Sequence, residues 1–317
     1  MRGAENEPDP IVSKAPEQDL KLRRSRAARA GALVIARPER ETLVVSGADR
    51  ASWLNGLVTC DVGKLAAGEG TWGLLLTQQG KIVSDLDVVA SDQEIFLGAT
   101  AGTGLKSTLE RFLIMEDAEL HDRSSDLAWI TVHGPEAAAL VGSERPPGAP
   151  IDWTGLGGAA LLVARDGLDQ CVRALGEREG AELGTADDLE LLYIERGTPR
   201  YGADYDSRDN PHDASLERRA VSWTKGCYLG QEVVCMQDMR GKLKRRLVAL
   251  ALEGDELPAR GTPVESSGGS AGEITSAAWS ALIDGVVALA RLRAIALQPA
   301  SKLAVGGRSA WLLEPPP

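Results

Sequence analysis

The texture of the chain changes at Arg246, and that change constrains the architecture more than any other feature. Before it, strand-like apolar runs alternate with helical stretches. After it, short apolar runs (247–252, 283–292, 309–313) are separated by glycine-bearing turns at Gly261, Ser267-Gly268-Gly269 and Gly306-Gly307. Such spacing predicts a small antiparallel β-barrel over residues 241–317. Upstream, two runs (32–35 and 43–45) precede a helix carrying Trp53, Leu54 and Leu57, with Asp49 as its expected N-cap. Strands over 72–77 and 81–90 follow, joined by Gln78-Gln79-Gly80, then a strand over 94–99 and a helix over 105–112. That order is an α+β pattern, with helices on one sheet face. Residues 126–184 repeat the theme, with Pro135 expected at a first helical position. Thr185 and Asp188 then read as a capping box for a helix reaching Glu195.

The expected domains are a tail over 1–28, an α+β domain over 29–240 and the barrel. Within the α+β domain, one lobe comprises about 29–125 with 185–240 and the other 126–184. With 43% apolar and 26% charged residues the chain is an ordinary globular one. A net charge of −11 argues against a general nucleic-acid or anionic-membrane binder, so direct tRNA binding is not expected. No window approaches 18 consecutive apolar residues, so no membrane span is expected. The first 20 residues lack the apolar core of a signal peptide. Cys60, Cys171, Cys227 and Cys235 form no C-x-x-C, and the three histidines make no ligand spacing with them. No metal site is expected, and a reducing cytoplasm is the simplest setting.

Three stretches carry chemistry. In Lys225-Gly226-Cys227-Tyr228-Leu229-Gly230-Gln231-Glu232, a cysteine lies beside a lysine just ahead of a helix-like segment whose apolar side is Leu229, Val233, Val234 and Met236. A helix dipole and the Lys225 charge would both favour thiolate, whereas a free cysteine is more often a small buried hydrophobe. Along Lys81–Val89, alternation points Ile82, Leu86 and Val88 one way and sets Asp85 and Asp87 about 7 Å apart on the other, among valines. Partial burial of that face would raise at least one carboxyl towards a general-base range; a solvated sheet face is the alternative. Glu195 and Tyr201 close the list, the first as a helix-end carboxylate, the second as a stacking or core aromatic. The basic run Arg240–Arg246 is either an anion contact or a solvated barrel edge.

The Lys-Gly-Cys-Tyr-x-Gly-Gln-Glu motif, with Arg240-Gly241 and Lys244-Arg245-Arg246 after it, resembles the signature of the YgfZ family. These are folate-binding proteins related to the aminomethyltransferase (T-protein) of the glycine cleavage system. The resemblance implies a T-protein-like fold, with two ferredoxin-like α+β lobes holding tetrahydrofolate and a C-terminal antiparallel barrel. It places Asp85 at the folate amine where the one-carbon unit is transferred, with Ser84 replacing a first acid. Glu195 falls on the glutamate that hydrogen-bonds the pterin, Tyr201 beside it, and Lys225 and Arg240 are carried as further folate contacts. Cys227 stands where T-proteins carry an acid, and Ala220-Val221-Ser222-Trp223 replaces a basic cluster, so glycine-cleavage transfer is not the expected activity. The resemblance implies support of iron–sulfur cluster assembly or repair, including in tRNA-modifying enzymes. Cys227 would be the reactive thiol, Asp85 the reactive carboxylate, and iron–sulfur assembly proteins or client enzymes the partners. The expected role is binding rather than turnover; a folate-dependent one-carbon transferase and a scaffold with structural folate are the alternatives.

Overall fold

The computed structural model describes residues 15–142, 147–241, 244–266, 269–297 and 302–313. In chain order the elements begin with α1 (Ala15–Ala30), β1 (Ala32–Arg37), β2 (Arg40–Ser46), α2 (Arg50–Asn55), β3 (Gly70–Leu76), β4 (Ile82–Ala90), β5 (Ile95–Thr100), α3 (Leu105–Glu110) and β6 (Glu119–Asp122). Next come β7 (Leu127–His133), α4 (Ala137–Val141), β8 (Gly148–Pro150), β9 (Gly158–Ala164), α5 (Leu168–Gly176), β10 (Ala181–Leu183), α6 (Ala186–Glu195) and α7 (Gln231–Arg240). The barrel strands are β11 (Arg245–Leu252), β12 (Pro263–Ser266), β13 (Gly269–Ser280), β14 (Gly285–Arg293), β15 (Leu303–Val305) and β16 (Arg308–Leu312).

The first lobe is a five-stranded sheet of order β3-β4-β5-β2-β6, the second a five-stranded sheet of order β10-β1-β7-β9-β8. The third unit is a closed barrel of order β11-β14-β13-β12-β15-β16, as the glycine-punctuated sequence requires. Closure leaves its short strands no free edge. The expected α+β class with a C-terminal barrel is observed. The turn residues Ser267 and Gly268, the loop residue Pro146, the tail residues 1–14 and the run members Lys242 and Leu243 lie outside the described residues.

Several local expectations are corrected. Residues 15–30 form α1, not part of a tail, because ion pairs fasten this helix to the body. Arg23 reaches Glu182 at 2.8 Å, Arg24 reaches Asp188 at 2.9 Å and Arg29 reaches Glu195 at 2.7 Å. Ala28 is fully buried against Leu189 and Leu192 of α6. A helix held by charges on an almost uniformly polar surface has no apolar stripe to reveal it. Strand β1 pairs with β7 and β10, so it belongs to the second lobe although it precedes the first. Asp49 precedes α2 without capping it through its side chain; its Oδ2 instead accepts from the Asp117 amide at 2.9 Å. Glu136, not Pro135, directly precedes α4. The Thr185–Asp188 capping box is present, and its aspartate also takes the Arg24 guanidinium.

Strand β4 carries the residues that matter most. An extra residue at Val83 shifts its register against β3, where Leu75 pairs with Ser84 and Leu76 with Ile82. This bulge breaks the simple alternation: Ile82 joins the core of Leu74, Leu76 and Tyr205, while Val83 packs with Leu86 and Val88 on the opposite core. Beyond the bulge the period of two holds, and Asp85 and Asp87 share a face. Among the described residues, no helix is long and apolar enough to cross a membrane.

Candidate functional site

Helix α6 sorts its residues by face. Ala186, Leu189, Glu190 and Tyr193, at the spacing i, i+3, i+4, i+7, line a cavity of about 470 Å³ between the lobes. Leu191 and Ile194 turn the other way and pack on Ala249, Val287 and Leu289 of the barrel. The opposite wall of the cavity is β4, contributing Asp85 and Asp87, with Trp72 directly across from Asp87 on β3. Trp153, Tyr201 and the Arg37–Arg40 turn complete it. The result is a slot with aromatic sides and a charged end.

Its charges are mostly matched. Asp87 is buried and accepts from Trp153 Nε1 at 2.7 Å, while its other oxygen faces Arg40 Nη2 at 2.7 Å. Burial pushes the Asp87 carboxyl above its ordinary value, opposed by Arg40 and Trp153. Glu190 pairs with Arg200 at 2.5 Å and Glu39 with Arg37 at 2.6 Å. Asp85 differs from these three carboxylates in facing no cation within ion-pair distance among the described residues; its Oδ1, like the Asp87 oxygen that faces Arg40, is buried with no hydrogen-bond partner. The phenol beside it, Tyr205, is pushed well above its ordinary value by burial and by Asp85 itself. Tyr201 stacks edge-on to Tyr205 with ring centroids 5.6 Å apart. The slot therefore sets the Asp85 carboxylate between flat aromatic walls, suited to a planar ligand carrying an N–H or a cationic amine.

Asp85 and Tyr201 both line this cavity, and the other named residues do not. Glu195 sits on the barrel side of α6, held by Arg29 at 2.7 Å and by the Ser280 hydroxyl at 2.5 Å, with its side chain only 5% exposed. Each of its oxygens takes one of these donors, joining α1, α6 and the barrel. We predict that Glu195→Ala lowers stability by about 2 kcal/mol, because it strands Arg29, and leaves folate affinity within about twofold, since no lost contact faces the cavity. Thermal melting and calorimetry read the two effects separately.

Lys225 is also structural. Its buried ammonium donates to the carbonyls of Asn55 at 2.7 Å, Val58 at 2.7 Å and Cys60 at 2.6 Å, clamping the end of α2. Burial lowers its pKa. Tyr228 is buried and lies 5.5 Å from the Lys225 ammonium, and Leu229 donates its amide to Gly56. Gly230 has φ +81°, and a Cβ there would stand 2.5 Å from the Thr77 carbonyl. Only glycine lets the motif press this closely on the β3–β4 turn.

Amid these anchors Cys227 is exposed. It lies outside α7, which starts at Gln231 after Gly230, so the helix dipole argument does not reach it. Of the expected apolar side of α7 only Val234 is buried, and Met236 is 43% exposed. Arg240 ends α7 on the surface, away from the cavity. Cys60, by contrast, is fully buried and its thiol is pushed up to about 12 by desolvation. Iodoacetamide is therefore expected to modify Cys227 in the native protein and Cys60 only after unfolding, as peptide mass spectrometry would show.

The sequence reading missed Trp72, Trp153, Tyr193, Glu190 and Arg40. The α6 face was available in principle, since the capping box fixes its start and the i, i+3, i+4, i+7 spacing its lining. Trp153 lies outside any periodic element, and nothing local marks it as a partner of Asp87.

Known proteins match this chain in domain sequence and in fold. The N-terminal domain model of the glycine cleavage T-protein matches residues 16–145, and its C-terminal barrel domain model matches residues 245–310. An aminomethyltransferase of Thermosynechococcus vestitus is 27% identical, over 85% of this chain and 79% of its own. One from Thermus thermophilus is 28% identical, over 78% and 75%. One from Chromobacterium violaceum is 29% identical, over 79% and 75%. The crystal structure of the glycine cleavage system aminomethyltransferase T from Bartonella henselae superposes with a TM-score of 0.78 at 18% identity, covering 93% of this chain and 89% of that one, and so shares the fold. With both of its domains present, the chain belongs to the glycine cleavage T-protein family.

Proposed function

We propose that this protein binds tetrahydrofolate in the cavity between its lobes and supports the assembly or repair of iron–sulfur enzymes. The observation that carries the folate reading is an aromatic slot of about 470 Å³ with the Asp85 carboxylate on its wall. A reduced pterin is flat, and its ring and bridge nitrogens supply donors for such an acceptor. Trp72, Trp153, Tyr193 and Tyr201 would hold its faces, and Asp85 would accept a proton-bearing nitrogen or hold positive charge on a neighbouring amine. Bound there, the folate supplies a site able to carry a one-carbon unit. Glu195 has no part in this reading because its oxygens are engaged elsewhere.

The iron–sulfur role is supported by the Lys-Gly-Cys-Tyr motif and by how it is built. Lys225, Tyr228, Leu229 and Gly230 form a bracket anchored on α2 and the β3–β4 turn, and the bracket displays Cys227 to solvent. A fixed, accessible thiol suits transient contact with a partner protein in a reducing cytoplasm. One cysteine supplies one ligand, so the partner or a small thiol would provide the rest.

The Asp85 carboxylate on the slot wall also favours a second reading, folate-dependent one-carbon transfer, in which it steadies a reacting amine; the relatives are named aminomethyltransferases. Complementation of a strain deficient in iron–sulfur enzyme activity separates the two. The wild type should restore activity and Cys227→Ser should not. Full rescue by Cys227→Ser removes the thiol from the role. Formation of methylene-tetrahydrofolate from a candidate amine would favour the transferase.

A further inference from the structure

Trp153 walls the cavity from the 151–157 loop, outside every helix and strand. A side chain so placed keeps one position only if other bonds fix its backbone. Within the loop, the Asp152 carboxylate accepts the amides of Thr154 at 2.9 Å, Gly155 at 2.7 Å and Gly157 at 3.0 Å. From outside the second lobe's sheet, Trp72 Nε1 donates to the Asp152 carbonyl at 3.2 Å and Arg196 Nε to the Thr154 carbonyl at 2.8 Å. Between them, the Trp153 carbonyl accepts from Thr198 Oγ1 at 3.1 Å and from Arg219 Nη2. The indole N–H is bound by Asp87 at 2.7 Å.

Arg219 is the donor whose presence needs a reason. Among the described residues it makes no ion pair, and burial lowers its pKa against the attraction of Asp152. Thr198 alone would satisfy the Trp153 carbonyl, so one met acceptor does not account for desolvating a guanidinium. A second donor takes the carbonyl's remaining lone pair and fixes its direction. With the carbonyl pinned and the indole bound to Asp87, Trp153 is held at both ends.

We propose that Arg219 is a positioning residue: through the Trp153 carbonyl it holds the indole as a rigid wall of the slot, and so sets how tightly the slot grips a flat ring. This rests on the folate reading above and adds which residue makes the wall rigid. Thr198 itself lines the slot and Arg196 holds a different carbonyl. Arg219 is not among the lining residues, so its effect on a ligand passes through Trp153. A wall ordered in advance spares the ligand the cost of ordering it, and loosening that wall lowers affinity.

A double-mutant cycle read by calorimetry with tetrahydrofolate tests the assignment, with thermal melting to confirm that each variant folds. Arg219→Met should weaken binding by at least about tenfold in the wild-type background and by no more than about twofold in a Trp153→Leu background. Arg219→Lys keeps the charge but offers a point donor in place of a planar fork. It should show the same dependence on Trp153 with a smaller loss, about threefold, and it decides the matter if Arg219→Met does not fold. Equal losses in the two backgrounds, or undiminished affinity in a folded Arg219→Met protein, would overturn the Arg219 assignment and leave the folate reading standing. Failure of the wild type to bind tetrahydrofolate would overturn both.

Discussion

Replacing Asp85 by asparagine should weaken tetrahydrofolate binding by at least about tenfold, since hydrogen bonds to a charged group are worth roughly 1.5–3 kcal/mol. The same change should leave the melting temperature unchanged or raise it slightly. The Tyr205 phenol donates to the Asp85 carboxylate, and the asparagine side-chain oxygen keeps an acceptor for it. An amide of equal size also relieves part of the cost of burying a charge. The combination of lost affinity and preserved stability is what distinguishes a ligand-facing carboxylate from a structural one. Asp87 shows the contrast: it holds Trp153 and Arg40, and its loss would disturb the wall itself. Calorimetry and thermal melting on Asp85→Asn measure both quantities.

The second large effect is expected at Lys225. Lys225→Met removes an ammonium that satisfies the carbonyls of Asn55, Val58 and Cys60, in a place where water has little access. Methionine fills a similar volume and can accept no such role. Leaving three acceptors unpaired should cost about 3 kcal/mol, allowing for partial relaxation. The loss would appear as a lower denaturant midpoint with an unchanged slope. Because Lys225 sits two residues from Cys227, the variant should also make Cys227 less uniformly presented, and it should fail in complementation at lower protein levels. A stability equal to that of the wild type would mean that the clamp contributes little.

The barrel, the β3–β4 hairpin and the α6 cap were legible because each is set by local chemistry: glycine-bearing turns, a strand period of two, and a Thr–Asp capping box. Asp85 was legible as one of two acids on one strand face. Which of the two would be paired with a cation was not, because the deciding neighbours, Arg40 and Trp153, come from distant segments. The placement of β1 in the second lobe is likewise a matter of long-range pairing with β7 and β10. Glu195 shows the limit of motif carry-over. Its position on α6 matches the family pattern, yet Leu191 and Ile194 beside it must face the barrel, and that face takes Glu195 with it. Its partner Arg29 lies in a helix whose sequence lacks an apolar stripe. Lys225 took a role other than the expected one for the same kind of reason. The lysine that read as an electrostatic aid to the thiol is spent on α2, and the cysteine is displayed by residues that are themselves buried.

The central claim is that a folate lies in the inter-lobe slot against Asp85. A crystal structure of the protein with tetrahydrofolate tests it most directly. The expected result is the pterin between Trp72 and Trp153, with a ring or bridge N–H about 3 Å from an Asp85 carboxylate oxygen. Folate seated elsewhere, with no contact to Asp85, would contradict it.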